Sequence, residues 1–364
     1  MAGLSGSQFA GAAPVAELVI VAITAPTNGA APIGGATAYE FDEPTVAARM
    51  LRGAAIASVG ASLPDTVVSS ERIAQTLGVD ADWIVRRTGI RARRFASAGE
   101  RLSEHAARAA MHALGRADVD PTEVDLVLVA TSTADELMPN AAPLVAAEIG
   151  AHGAAAFDVG SACTGFLCAL AVGCAQIESR RAGYVVVVGA DFMSRITARD
   201  DRATAALFGD AAGAVVLVPA DAPGRIGPVV MGSDGEGADK IVVEHASGTM
   251  RMQGQDTFRE AVDRLSWATL QAAQAAGVRL GEVDRFVYHQ ANRRILQAIG
   301  ERLAIDPERI VDCIGEQGNT AAASVPLALA YSDERDLLRP GDRVLLGAFG
   351  AGTTWGATVV EWGT

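Results

Sequence analysis

The chain has 364 residues, half of them hydrophobic, with 39 glycines, four cysteines and a formal net charge of −13. Lys240 is the only lysine, and the acidic balance excludes a nucleic-acid surface and suits a close-packed α/β enzyme. Cys163, Cys168, Cys174 and Cys313 form no C-x-x-C pair and no His spacing suited to zinc, so no metal is expected and a reduced, cytoplasmic protein is the simplest reading.

Residues 1–50 are small and polar, with Pro14, Pro26 and Pro32, and predict a poorly ordered extension. The apolar run 18–23 within them is too short to span a bilayer, so no membrane is expected as a partner. Arg49 is the first basic residue, so the segment lacks the positive start of a secretion signal. Met50 directly precedes the first strand-like run and is a candidate natural start. Further on, Arg86, Arg87, Arg91, Arg93 and Arg94 make the most basic run of an acidic chain. Beside Trp83 that run reads either as a solvated face or as a grip for phosphates, with the indole stacking on a base. Helical periodicity covers 102–115, 141–149, 165–179, 257–276, 291–303 and 320–331. Short β-branched apolar runs alternate with these segments, as for strands covered on both faces.

The stretch 154–172 is the most informative. An apolar run ends at Val159, Gly160-Ser161-Ala162 makes a small-residue turn, and a long apolar helix follows. Cys163 therefore falls at a helix N-terminus, where unpaired N–H groups and the helix dipole favour a nucleophilic thiolate. The alternative is a small core residue, which is how Cys168 and Cys174 read inside the helix. The segment 208–213 carries glycines but opens no G-x-G-x-x-G helix, so it is a poor dinucleotide site.

His289 ends the run Phe286-Val287-Tyr288. It is either a hydrogen-bonded structural residue or a donor to developing negative charge. Arg293, Arg294 and Arg302 share one helical segment, as solubilising charges or as a landing site for an acidic protein. Asn319 follows Gly318 and is either a helix cap or a second, uncharged donor. The glycine-dense tail 347–356 is either a tight turn or a place of close backbone approach to substrate.

Signposts recur along the chain. Glu123-Val124-Asp125 and Glu282-Val283-Asp284 each introduce an apolar run, 159 residues apart. Gly183 and Gly341 precede Val- and Leu-rich runs 158 residues apart, and Gly213-Ala214-Val215-Val216 resembles Gly356-Ala357-Thr358-Val359. This order predicts a duplication into halves 51–220 and 221–364, stacked as five layers, α/β/α/β/α. The offset carries Cys163 onto Ala321, beside Asn319, and Ala130 onto His289. A pseudo-twofold axis would turn those corners toward Cys163.

Together, 158–166, His289-Gln290-Ala291-Asn292, 318–326, 349–356 and 82–90 resemble the β-ketoacyl-acyl carrier protein synthase III family, from about Leu51 to the C-terminus. The resemblance implies the duplicated thiolase fold, usually as a homodimer, and a Cys-His-Asn set that fits initiating rather than elongating synthases. It implies decarboxylative condensation of an acyl-CoA with malonyl-acyl carrier protein, starting fatty acids, with no cofactor beyond the substrate. A starter-unit synthase or acyltransferase of a polyketide or other specialised pathway is the alternative. In this picture Cys163 takes the acyl group, His289 and Asn319 stabilise the enolate, the N–H groups of Cys163 and Ala351 form the oxyanion hole, and Phe349 shields the departing carboxylate. Trp83 and Arg202 would sandwich the CoA adenine, Arg87 would meet its phosphates, and Gln255 and Asn292 its pantetheine. Arg293 and Arg294 would dock the carrier protein. Met138, reaching from the partner subunit, and Phe208 would line the acyl pocket.

Overall fold

Two β-sheets repeat one strand pattern. The computed structural model describes residues 53–221 and 225–363, so the expected extension and Met50 lie outside the described residues. The first half runs β1 (Gly53–Ser62), β2 (Thr66–Ser69), α1 (Ser70–Leu77), α2 (Ala81–Thr88), β3 (Ala92–Phe95), α3 (Leu102–Ala117), β4 (Leu126–Ala130), α4 (Ala141–Ile149), β5 (Ala155–Val159), α5 (Gly165–Glu178), β6 (Val185–Phe192) and β7 (Asp210–Ala220). The second runs β8 (Val230–Ser233), β9 (Ile241–Val243), β10 (Met250–Met252), α6 (Gly254–Ala275), β11 (Arg285–Tyr288), α7 (Arg293–Leu303), α8 (Ile314–Gln317), α9 (Ser324–Asp333), β12 (Arg343–Gly350) and β13 (Thr354–Glu361).

The first sheet has the order β1-β7-β6-β4-β5 and the second β11-β12-β13-β8. In each, a parallel pair (β4 with β6, β11 with β12) is followed by two antiparallel partners (β7 and β1, β13 and β8). Both sheets need cover on both faces, because β4 and β6 are buried along their whole length. Helices α3 and α4 cover the outer face of the first sheet, and α6 and α7 that of the second. Helices α5 and α9 lie between the sheets in a shared core. The result is the five-layer stack. On α5, Phe166, Leu167 and Leu170 are fully buried, each contributing about 1.5–3 kcal/mol of hydrophobic stabilisation.

Three local devices set the site. Asp158, on β5, accepts from the N–H groups of Ala141 (3.0 Å) and Ala142 (2.7 Å) and so fixes the start of α4. Asp80 caps α2 by accepting from Asp82 N–H, and Gly89 ends that helix at a φ of 82°. Gly189 lets the halves touch, since a Cβ there would lie 2.2 Å from the carbonyl oxygen of Ala322.

Candidate active site

Cys163, His289 and Asn319 line one cavity of about 1110 Å³, with Phe349, Gly350 and Ala351. Each arrives from a different corner. Cys163 lies in the one-turn helix Ala162–Thr164 that leads into α5. His289 follows the last residue of β11, and Asn319 precedes the equivalent one-turn helix Ala321–Ala323.

The two one-turn helices are structural counterparts. Each opens on a residue in the left-handed region, Ala162 at φ 44° and Ala321 at φ 46°, a strain that persists only where the surroundings impose it. The true counterpart of Cys163 is therefore Ala322, one residue beyond the position that the sequence offset gave. Ala322 N–H donates to the carboxylate Oδ2 of Asp191 at 2.9 Å. Among the described residues, the N–H groups of Cys163 and Ala351 donate to no backbone carbonyl of a turn or loop. The first half thus presents, toward the cavity, the counterpart of an N–H that in the second half already binds an anionic oxygen.

The turn that carries Ala351 is tied to the turn that carries Cys163. Gly350 packs so closely that a Cβ would lie 2.9 Å from the Cys163 nitrogen. The hydroxyls of Thr164 and Thr354 meet at 2.8 Å, Thr164 donates to Ser161 O at 2.7 Å, and Thr354 Oγ1 is 3.1 Å from Ala351 O. These contacts hold Cys163 and Ala351 in register.

His289 is buried. Its backbone N–H donates to Gly347 O at 2.7 Å, and its Nδ1 has no hydrogen-bond partner. An orphan N–H costs more than an orphan lone pair, so the ring proton sits on Nε2. Gln290 braces the corner behind it, bonding Tyr288 O, Val311 O and the Cys313 N–H. Burial alone pulls the imidazole down to about 4, so it is a neutral donor near neutrality. Asn319 is locked through its backbone to Leu207 and Gly209, both at 2.9 Å. Its Oδ1 accepts from Ala321 N–H at 3.0 Å, which leaves the amide N–H groups as donors. Gly318, at φ 68°, makes the turn, and a Cβ there would meet Leu207 O at 3.0 Å.

The electrostatics set burial against the helix N-terminus. Burial, and then the nearby Asp191 carboxylate, push the Cys163 thiol up to about 12, against a smaller pull from its own backbone N–H. Desolvation thus works against the pull of the helix N-terminus on this thiol. Asp191 itself is pushed up to about 6 by burial, although the N–H groups of Ser132 and Ala322 and the hydroxyls of Thr133 and Thr131 pull it down. The alkylation rate of Cys163 with iodoacetamide should rise about tenfold per pH unit through pH ~9 without levelling. A plateau near neutral pH would mean that the dipole wins after all.

Trp83, Arg87, Arg202, Gln255, Asn292, Arg294 and Phe208 also line this cavity, whereas Met138 and Arg293 do not. Arg87 lies over the Trp83 indole, 4.8 Å from its centroid, one helical turn along α2, while Arg202 donates to Leu77 O at 3.2 Å and 3.3 Å. Asn292 is already engaged at both ends of its amide. It caps α7 by accepting from Arg294 N–H at 2.9 Å and donates to Arg87 O at 3.1 Å. Arg293 pairs with Asp312 at 2.5 Å, with 29 % and 33 % of the two side chains exposed. Met138 is 84 % exposed on the surface of its own chain.

Sequence reasoning missed Asp191, Thr164, Thr354 and the methionines Met193, Met250 and Met252, which pack with Phe208 beside Cys163. Asp191 had a readable signal, a carboxylate near the end of the wholly apolar run 185–190. The methionines had none, because they come from separate segments.

Comparison with known proteins converges on one group. Residues 157–235 match the family model for 3-oxoacyl-[acyl-carrier-protein] synthase III, and residues 273–362 match the model for its C-terminal part. A β-ketoacyl-[acyl-carrier-protein] synthase III of Streptomyces coelicolor is 43 % identical over 85 % of this chain and 94 % of its own length. One from Cereibacter sphaeroides is 40 % identical over 85 % of this chain and 99 % of its own. The crystal structure of 3-oxoacyl-[acyl-carrier-protein] synthase III from Aquifex aeolicus superposes with a TM-score of 0.82 at 35 % identity, covering 85 % of this chain and 100 % of the other. The priming β-ketosynthase of the R1128 polyketide pathway gives 0.84 at 34 % identity, covering 88 % and 99 %.

Proposed function

The chain belongs to the 3-oxoacyl-[acyl-carrier-protein] synthase III family of thiolase-fold condensing acyltransferases, and we propose on that footing how its cavity carries out the decarboxylative condensation that starts fatty acids. The observation that carries the reading is the convergence of a thiol, a neutral imidazole and a carboxamide on one cavity beside the backbone N–H groups of Cys163 and Ala351.

Cys163 attacks the thioester carbonyl of an acyl-CoA. The bond to the CoA sulfur breaks, and the thiol proton ends on that sulfur. The N–H groups of Cys163 and Ala351 hold the tetrahedral oxyanion. The acyl chain lies among Phe208, Met193 and Met250. Malonyl-acyl carrier protein then enters and loses carbon dioxide, leaving an enolate whose oxygen accepts from His289 Nε2–H and the Asn319 amide. Phe349 shields the departing carboxylate. The enolate carbon bonds to the acyl carbonyl, and the Cys163 thiolate leaves and takes up a proton. Neutral donors suit this step, since a cation there would hold the malonyl carboxylate in place. No cofactor is needed to balance it. Arg294, which lies over Phe258 at 5.7 Å, and Arg259 stand at the mouth for the acidic carrier, and Arg87 for the CoA phosphates.

The working form is a homodimer in the cytoplasm. β5 is an edge strand of the first sheet, with Phe157 44 % exposed on it and Leu137 and Met138 exposed nearby. An edge of this kind pairs with a copy of itself, which would carry Met138 to the partner's pocket. Sedimentation should give twice the chain mass, and a single-chain mass would exclude this arrangement. A second reading, priming of a polyketide, is favoured by the likeness to the R1128 ketosynthase. Incubation with a mixed acyl-CoA pool and malonyl-acyl carrier protein tests both readings. Carbon dioxide release with a ketoacyl product supports condensation, and the mass added to Cys163 names the starter. Acylation without carbon dioxide release would sink condensation.

A further inference from the structure

The protein's single lysine stands behind the oxyanion turn. Lys240 closes the short helical segment Gly235–Lys240 and pairs with Glu260 of α6, whose side chain is 13 % exposed. Glu260 Oε1 accepts from Thr353 Oγ1 at 3.0 Å. Thr353 is almost fully buried, and its backbone is paired both ways with Asp234, each bond 2.8 Å. Arg264 donates to Asp234 Oδ2 at 2.9 Å and lies over the Trp355 ring, 4.3 Å from its centroid. Lys240, Glu260, Thr353, Asp234 and Arg264 do not line the cavity.

What this cluster holds is the turn that carries Ala351. Thr353 is two residues beyond Ala351, and glycines flank Ala351 on both sides, with Gly352 at φ 132°. A turn so rich in glycine has many backbone states, whereas an oxyanion donor works only when it is fixed before the charge develops. The Thr164–Thr354 hydroxyl contact grips the turn from the first half, and Glu260 grips it from the second through Thr353. Lys240 then leads directly into β9, which pairs with β10 and brings Met250 and Met252 toward the acyl chain.

We propose that Glu260, with Lys240 as its counter-ion, is a positioning residue that sets the Ala351 N–H for oxyanion binding by holding the Thr353 hydroxyl. The inference rests on the condensing reading above. Its test is single-turnover acylation of Cys163 by acyl-CoA in Thr353→Val, Thr353→Ser and Glu260→Ala proteins. Thr353→Val and Glu260→Ala should acylate about 10- to 100-fold more slowly at saturating acyl-CoA, the size expected for a misplaced catalytic group, with acyl-CoA affinity unchanged. Thr353→Ser keeps the hydroxyl and should restore the rate. Alkylation of Cys163 by iodoacetamide forms no oxyanion, so its rate should match wild type in all three. The proposal is overturned by a wild-type acylation rate in Thr353→Val or Glu260→Ala, by equal loss in Thr353→Ser, by a loss that lies in affinity, or by a parallel loss of alkylation. Wild-type protein that takes up no acyl group would instead sink the condensing reading, and this inference with it.

Discussion

Cys163→Ala protein incubated with acyl-CoA should gain no acyl mass, and ketoacyl product should fall at least about 10³-fold, because the proposed covalent intermediate forms on this thiol. The nearby thiols cannot substitute. Cys168 lies five residues on, along α5, Cys174 is buried among core residues, and neither lines the cavity. Alanine removes only the sulfur from a residue whose N–H remains, so the oxyanion hole survives and acyl-CoA should still bind. Intact-mass measurement after incubation checks the adduct, and isothermal titration checks the binding. An acyl adduct that persists in the variant would assign the nucleophile elsewhere.

His289→Ala and Asn319→Ala should separate the two halves of the reaction. Both variants keep Cys163 and its oxyanion donors, so acylation should persist. On the proposed mechanism each loses one of two donors to the enolate, which costs about 2.7–4 kcal/mol of barrier, or about 10²- to 10³-fold in rate. Carbon dioxide release from labelled malonyl-acyl carrier protein reads that loss directly. Full condensation in either variant would overturn the assignment. The pH dependence follows from burial. With the His289 imidazole held down at about 4, decarboxylation should show no His inflection between pH ~6 and ~8. The linkage has a defined sign. Unfolded protein takes a proton on this ring below about 6.5 and the folded protein only below about 4, so stability is full above that window. It is lost as pH falls through the window, by up to about 3 kcal/mol. Equilibrium unfolding of wild type and His289→Ala at both ends of the window would show it as a difference in slope.

Much of the molecule was legible in the chain. The long helices α3, α4, α5, α6, α7 and α9 follow from apolar periodicity, because each buries a broad face against a sheet. The duplicated strand pattern follows from recurring glycine and valine runs, since both copies solve the same packing problem. The eight-residue helices α1 and α2 were not read as helices, being too short to show a period. Their caps, Ser69 and Asp80 with Gly78 and Gly89 after them, were the available signal. Among site residues, the resemblance brought Asn292 forward as a pantetheine contact and Arg293 for docking the carrier protein. In the fold Asn292 also caps α7 and Arg293 pairs with Asp312. Whether a polar side chain is free depends on which neighbours reach it, and those neighbours are distant in sequence.

By itself the sequence determined the two-copy architecture and the chemical types at the centre: a thiol after a small-residue turn, an imidazole at a strand end, and a carboxamide after a glycine. Those properties reside in local pattern. Only the tertiary structure decided how far burial shifts the thiol and imidazole, the register that pairs Cys163 with Ala322, and the grip of Thr164, Thr353 and Glu260 on the turn that carries Ala351. Desolvation and hydrogen bonding depend on what packs against a group, and here the packing partners lie up to 190 residues apart along the chain.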